Sequence, residues 1–128
     1  MSDAAISSYL AAREHACQQF LVSSDIRVLW RALSDAMDKL ITALHTESKA
    51  KGVTILAVGG YGRAELLPFS DVDLMVLVEK KVSDPEAIIP WLYPLWNLKL
   101  QVSHAVYTVE EAVEAAKTDH TICASLMD

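Results

Sequence analysis

The sequence predicts an α+β fold in which helices cover a small β-sheet and a helical segment precedes it. The chain has 128 residues, the size of one ordinary domain. Its residues are 52% hydrophobic, which suffices for a packed core. Short β-branched runs alternate with segments of helical periodicity. The predicted order is two helices, two strands, a helix, a strand, a helix and a final helix that is just beginning.

Residues 1–50 form the predicted N-terminal helical segment. Apolar residues recur at helical spacing over Ile6–Phe20. A second helix is predicted from about Ile26 to Ser48, with Asp25 as a candidate cap. Its apolar positions step by three or four and predict one buried stripe, formed by Leu29, Leu33, Met37, Leu40 and Leu44.

Residues 51–128 supply the predicted sheet and the core of the domain. The runs 53–58 and 72–78 are short, apolar and rich in β-branched residues, which is typical of buried strands. Residues 98–106 alternate between apolar and polar and predict a third strand.

Three further helices are expected between and after these strands. Ser83–Glu86 is a strong helix start, and this helix is predicted to reach about Trp96. Thr108–Glu111 resembles a capping box that opens a helix ending near Lys117. Thr121–Asp128 has the pattern of a helix without a C-terminal cap, so we expect the chain to be truncated there and to belong to a longer protein.

Composition narrows the class of function. The formal charge of −6 and the pI of about 5.1 argue against a general nucleic-acid binder. No signal peptide and no apolar run of about 18 residues is present, so no membrane association is predicted and a cytoplasmic location is expected. Cys17 and Cys123 are far apart and outside any CxxC pattern, which favours reduced thiols over zinc or disulfide bonding.

Two aspartates stand one residue apart at the start of the second predicted strand. This spacing places Asp71 and Asp73 on the same strand face, about 7 Å apart. Two ionised carboxylates beside a core repel each other, and a divalent cation is the simplest group to stabilise them. Hard oxygen ligands favour Mg²⁺ or Mn²⁺. The alternative is ordinary turn chemistry, in which these side chains bond nearby backbone amides.

A glycine-rich loop precedes the aspartates by about ten residues. Gly59, Gly60 and Gly62 follow the first strand directly, and their backbone N–H groups can converge on an anion. Arg63 offers a guanidinium suited to phosphate oxygens, and a helical turn over 63–66 would add a favourable dipole. A phosphate-binding loop followed by a metal-binding carboxylate pair suits nucleotidyl transfer.

Two familiar glycine patterns do not fit this loop. No lysine follows at the spacing of a Walker A motif. Pro68 prevents the long helix that a dinucleotide-binding motif requires.

The stretch 59–75, GGYGRAELLPFSDVDLM, closely resembles the nucleotidyltransferase signature of the bacterial PII uridylyltransferase/uridylyl-removing enzymes. These belong to the DNA polymerase β-like nucleotidyltransferase superfamily. Residues 95–108, LWNLKLQVSHAVYT, resemble the next block of that family. The resemblance implies a polymerase β-like fold with a small mixed sheet, and it implies that the chain is the N-terminal part of a larger bifunctional enzyme.

The resemblance also implies an activity and a site. Members of the family transfer UMP from UTP to a tyrosine of the PII nitrogen-signalling protein, with Mg²⁺. By this resemblance Asp71 and Asp73 are the catalytic metal ligands. The implied nucleotide-binding residues are Gly59, Gly60, Ser70 and Arg63.

The chain departs from the family pattern at three positions. The family usually has Asp, Gly and Arg where this chain has Asn97, Ser103 and Tyr107. The superfamily generally uses a third carboxylate from a later strand, and residues 98–106 contain none. Candidates by proximity in sequence are Glu110, Asp119 and Asp128.

Two other functions remain open. Triphosphate contacts do not distinguish bases, so the chain is alternatively another nucleotidyltransferase, for instance an adenylyltransferase acting on a protein or small molecule. The departures also allow a degenerate domain that binds nucleotide or braces its neighbours. Tyr61, His104 and Trp96 are expected to be packing or structural residues rather than nucleotide contacts.

Overall fold

The structure, a computed structural model, describes residues 2–79, 90 and 92–128. Within these residues it has six helices and three strands. In chain order they are α1 (Ser2–Ser23), α2 (Ile26–Ser48), β1 (Val53–Val58), α3 (Gly59–Gly62), β2 (Val72–Val78), α4 (Tyr93–Asn97), β3 (Val102–Thr108), α5 (Val109–Thr118) and α6 (His120–Met127).

The first two helices pack against each other as a hairpin. Helix α1 extends beyond the predicted Ile6–Phe20 at both ends, whereas α2 has the predicted bounds. Asp25 caps α2 as expected, because its Oδ1 accepts a hydrogen bond from the Arg27 backbone N–H at 3.0 Å. The predicted apolar stripe of α2 is buried along its whole length.

The sheet has the order β1-β2-β3, with β2 in the centre. Strand β1 pairs with β2 antiparallel, and β2 pairs with β3 parallel. The predicted α+β fold with a small mixed sheet is therefore confirmed. A parallel pair needs a crossover connection, and α4 lies in the segment that joins β2 to β3.

The third strand begins later than predicted, at Val102 rather than Leu98. The Leu98 N–H instead closes the end of α4 by bonding to the carbonyls of Pro94 and Leu95. Lys99 then takes a left-handed backbone conformation with φ of 60°, which no continuous strand allows. The alternation of side chains alone did not reveal this turn.

The helices around β3 agree with the other predictions. The proposed start at Ser83–Glu86 lies outside the described residues, and the expected end near Trp96 falls within α4, Tyr93–Asn97. Thr108 caps α5, since its Oγ accepts a hydrogen bond from the Glu111 N–H at 3.1 Å. Helix α6 follows immediately, with Asp119 as its cap.

One hydrophobic core joins the helical hairpin to the sheet. The alternate β2 residues Val72, Leu74, Val76 and Val78 lie in the same buried cluster as the stripe of α2. The division into residues 1–50 and 51–128 stays a prediction. Among the described helices, none is long and apolar enough to cross a membrane.

Candidate nucleotide and metal site

The two aspartates lie where β2 begins. Asp71 is exposed just before the strand, and Asp73 is half-buried within it. Burial raises the pKa of the Asp73 carboxyl, the negative charge of Asp71 raises it further, and a hydrogen bond with the Ser103 side chain lowers it. The two carboxylates are therefore close enough to repel each other, as the spacing predicted.

The glycine loop forms a single helical turn directly after β1. This turn is α3, Gly59–Gly62, and it lies before the 63–66 segment considered for a helical turn. The Arg63 N–H bonds to the Gly59 carbonyl at 3.2 Å, and the Ala64 N–H bonds to the Tyr61 carbonyl at 3.0 Å. Since no side chain caps the start of α3, its position depends on the residues that flank it.

The sheet register brings the glycine turn to the aspartates. Val58, the last residue of β1, is paired with Asp73 in β2. Gly59 comes next and has a φ of +62°. A Cβ added to Gly59 would lie 2.7 Å from Oδ2 of Asp73, closer than real Cβ atoms come to any such atom. The backbone of the turn therefore lies directly against the half-buried carboxylate, and any larger residue would have to displace that carboxylate and hold a left-handed conformation.

The other two glycines of the turn have different surroundings. A Cβ on Gly62 would lie 2.8 Å from the backbone oxygen of Ala57, so Gly62 is required by packing. A Cβ on Gly60 would meet only Nη2 of Arg63 at 3.9 Å. Gly60 thus has open space above its backbone, which is the space that an anion would use.

Arg63 lies beside the turn but is engaged in ion pairs. Its Nε lies 3.2 Å from Oε2 of Glu65, and its Nη1 lies 3.1 Å from Oδ2 of Asp128. The side chain is 49% exposed, so both pairs are in contact with water and are weak. Contact of Arg63 with phosphate therefore requires exchange of these carboxylates for the ligand.

Ser70 closes a small turn of its own. Its Oγ accepts a hydrogen bond from the Leu67 N–H at 2.9 Å and donates one to the Leu67 carbonyl at 3.1 Å. The hydroxyl proton is thus committed to the backbone. A nucleotide-binding role for Ser70 stays a prediction. In this structure its hydrogen bonds stabilise the turn that directly precedes Asp71.

The neighbouring strand β3 places polar but neutral residues beside the aspartates. Asp73 is paired with Ser103, and the Val72 N–H bonds to the Gln101 carbonyl at 2.8 Å. Continued by one residue, this register aligns Gln101 with Asp71 just before the two strands begin, and paired residues carry their side chains on the same face. An amide and a hydroxyl therefore occupy the positions from which β3 would supply a third carboxylate.

The three acidic residues proposed by proximity do not complete a metal cluster. Asp119 is used as the cap of α6, where its Oδ1 accepts from the N–H groups of Thr121 and Ile122. Asp128 pairs with Arg63. Among the described residues, no group of three or more His, Cys, Asp or Glu side chains could hold a metal ion. Asp71 and Asp73 fit a cation that takes its remaining ligands from water and phosphate, as Mg²⁺ does.

A small cleft adjoins the aspartate face of the sheet. It has a volume of about 210 Å³, and its lining includes Gly59, Asp73, Ser103, Tyr107 and Ser125. Whole ligand pockets measure roughly 300–1,000 Å³, so this cleft accommodates part of a nucleotide.

The sequence did not reveal a contact that fixes the glycine turn from outside. The Tyr61 hydroxyl donates a hydrogen bond to Oδ1 of Asp38 in α2 at 2.5 Å. Tyr61 is only 5% exposed, which confirms its packing role. Burial and the hydrogen bond with Asp38 raise its pKa. Because 23 positions separate the two residues, no local sequence pattern indicates the pair.

Trp96 and His104 pack near each other, and His104 also lines the cleft beside Asp73, so its role stays a prediction. The His104 ring lies 5.9 Å from the Trp96 ring, measured between centroids. Trp96 is partly buried against the core. Both residues therefore have packing partners within the fold.

Comparison with known proteins supports the same interpretation. The family described as "Nucleotidyltransferase domain" matches residues 37–122. The chain is 38% identical to the bifunctional uridylyltransferase/uridylyl-removing enzyme of Vibrio cholerae over 90% of this chain and 14% of that protein. The proteins of the same name from Caulobacter vibrioides and Aromatoleum aromaticum are 40% and 38% identical over 77% and 97% of this chain.

The matched region is a small part of these relatives. The chain spans 12–14% of the length of the three proteins just named. No solved structure matches the chain. The family match covers more than half of the chain and includes the glycine turn, both aspartates and β3. The chain therefore belongs to the nucleotidyltransferase domain family.

Proposed function

We propose that this chain binds a nucleoside triphosphate with Mg²⁺ and transfers its nucleotidyl group, as the catalytic part of a longer protein. The observation that carries the proposal is the contact between the Gly59 backbone and the Asp73 carboxylate. It joins a glycine-rich turn, which can present backbone N–H groups to an anion, to a pair of repelling carboxylates; a metal–triphosphate complex requires both parts.

Each part has a distinct task in this proposal. The open backbone at Gly60 accommodates phosphate oxygens, and Arg63 contributes positive charge when it leaves Glu65 and Asp128. Asp71 and Asp73 hold the cation, with Mn²⁺ as a possible substitute. When bound, the cation polarises the α-phosphate and neutralises charge on the pyrophosphate. A bond then forms from an acceptor hydroxyl to the α-phosphorus, pyrophosphate leaves, and a basic group or water takes the hydroxyl proton.

The favoured triphosphate is UTP, and the favoured acceptor is a tyrosine of the PII signalling protein. The support is the name of the three relatives, uridylyltransferase, and the resemblance of residues 59–75 to that family. The contacts described above reach only phosphate and metal, so they do not select the base. Proteins that use cytoplasmic triphosphates work in the cytoplasm, which is the expected location.

The test is transfer of labelled UMP to PII by the longer protein that contains this chain. We expect Mg²⁺-dependent labelling by the wild type and at least a hundredfold less by Asp71→Ala, because that change removes a metal ligand. Equal labelling by the two proteins would exclude Asp71 as a catalytic residue. Comparison of the four triphosphates in the same assay separates uridylyl transfer from adenylyl transfer.

A second candidate function is nucleotide binding without transfer. It is favoured by one observation, the presence of Gln101 and Ser103 where β3 faces the two aspartates. A protein of this kind would bind triphosphate with Mg²⁺ but label no acceptor, a result that the labelling assay distinguishes from both transfer and absence of binding.

A further inference from the structure

Helix α2 contacts the glycine turn and the loop that follows it through two polar side chains one helical turn apart. Ser34 and Asp38 are separated by four positions and therefore lie on one face of the helix. The Asp38 carboxylate accepts the Tyr61 hydroxyl proton at 2.5 Å. The Ser34 hydroxyl accepts a hydrogen bond from the Leu66 N–H at 3.4 Å.

These two contacts lie on either side of Arg63. Tyr61 is the third residue of α3, and Leu66 lies in the loop between α3 and β2. Both side chains are buried, at 5% and 3% exposure, and both belong to the main hydrophobic cluster. Ser34 carries a polar side chain that is buried, with 3% of its surface exposed. A buried hydroxyl without a hydrogen-bond partner destabilises the folded protein, and the partner of the Ser34 hydroxyl is the backbone N–H of Leu66.

The N-terminal end of the glycine turn, Gly59 and Gly60, precedes both contacts. No side chain caps α3, and Gly60 leaves its backbone open. A four-residue turn containing three glycines has a large conformational entropy when it is free. The position of its N–H groups is thus set by β1 on one side and by Tyr61 and Leu66 on the other.

We propose that Asp38 and Ser34 are positioning residues for the triphosphate, which hold the glycine turn in place through Tyr61 and Leu66. This inference rests on the proposed function for the identity of the ligand. It assigns a role in the site to the helical segment before the sheet. Preorganised donors bind an anion more tightly, because their ordering does not oppose binding.

The test has two readouts on this chain. The first is hydrogen exchange of the amides of Arg63, Ala64 and Glu65, which bond to the carbonyls of Gly59, Tyr61 and Gly60. We expect Tyr61→Phe and Asp38→Ala to lower their protection about tenfold, while the amides of β2 stay unchanged. The second readout is the dissociation constant of Mg²⁺-UTP, which we expect to rise about tenfold in the same variants.

Three controls separate positioning from charge and from general stability. Asp38→Asn keeps an oxygen that accepts the Tyr61 proton, so it should restore most of the protection and affinity. Asp35→Ala removes one exposed acid from the same helix and should change neither readout. Ser34→Ala tests the second contact if Asp38→Ala fails to fold.

The outcomes decide the inference and the proposed function separately. Unchanged exchange in both Tyr61→Phe and Asp38→Ala would overturn the inference even if the wild type binds Mg²⁺-UTP. Faster amide exchange with an unchanged Mg²⁺-UTP affinity would show that the contacts stabilise the turn without affecting binding. This result would also overturn the inference. Failure of the wild type to bind any Mg²⁺-triphosphate would instead contradict the proposed function.

Discussion

Gly59 and Asp73 are in such close contact that a single added carbon on the glycine would lie 2.7 Å from the carboxylate oxygen. Antiparallel pairing of β1 with β2 produces this contact, since Val58 is paired with Asp73 and Gly59 follows it. The phosphate part and the metal part of the site are therefore adjacent through the sheet register. They are not linked by the flexible loop that separates them in the sequence.

Gly59→Ala should damage the site more than the fold. Alanine in a left-handed conformation costs roughly 1–2 kcal/mol, and its methyl group would displace the Asp73 carboxylate. We expect a folded protein of reduced melting temperature with at least tenfold weaker Mg²⁺-dependent triphosphate binding. Calorimetry on the same sample measures both properties. Undiminished affinity would show that the contact has no part in binding.

The other two glycines should respond in opposite ways. Gly60→Ala meets open space, so we expect a change in unfolding free energy within about 0.5 kcal/mol and a clear loss of triphosphate affinity. Gly62→Ala forces a methyl group to 2.8 Å from the Ala57 backbone oxygen and should cost about 1–3 kcal/mol. Urea unfolding and nucleotide titration of the pair test this contrast. Equal destabilisation by the two substitutions would contradict it.

Tyr61 should make the protein sensitive to alkali. Burial, assisted by the Asp38 hydrogen bond, raises its pKa above the ordinary 10.0. The unfolded chain then loses this proton at a lower pH than the folded chain does. The stabilising contribution is therefore complete below pH 10 and is lost as the pH rises above it, by up to about 1.4 kcal/mol per pH unit.

Tyr61→Phe provides the measurement for this effect. The variant should be less stable at neutral pH, since it lacks the hydrogen bond with Asp38, and its unfolding free energy should fall less steeply above about pH 10. Burial also raises the pKa of Tyr9, but that contribution is common to both proteins and cancels in the comparison. Parallel alkaline slopes would contradict the prediction.

Gln101→Glu should strengthen the metal site. The substitution places a third carboxylate just before β3, at the position that the sheet register aligns with Asp71. Additional anionic charge within about 6 Å of a divalent cation should raise Mg²⁺ affinity roughly tenfold or more. Gln19→Glu makes the same change at an exposed position of α1 and serves as the control. Metal titration that gives the same affinity for both variants would show that position 101 does not face the site.

Much of the fold was predictable because its signals are local. The apolar stripe of α2 and the β-branched runs of β1 and β2 gave element bounds that agree with the structure. The start of β3 was wrong, because the left-handed residue Lys99 carries no sequence signal comparable to glycine. The helical turn lies earlier than the 63–66 segment considered for one, because the glycines themselves form it.

The candidate site was predictable in its residue types but not in its connections. The spacing of Asp71 and Asp73 indicated a shared face, and the raised pKa of Asp73 agrees with it. Three contacts required the tertiary structure: Gly59 with Asp73, Gln101 beside Asp71, and Asp38 with Tyr61. Each joins residues far apart in sequence, which neither periodicity nor spacing can pair.

The central claim is that Asp73 holds a divalent cation for a triphosphate, and titration calorimetry with UTP tests it most directly. We expect the wild type to bind UTP only in the presence of Mg²⁺, and Asp73→Asn to bind at least tenfold more weakly without a loss of melting temperature, because it removes a partly desolvated charge. Asp35→Asn should bind like the wild type. Equal binding by wild type and Asp73→Asn, or binding by the wild type that ignores Mg²⁺, would contradict the claim.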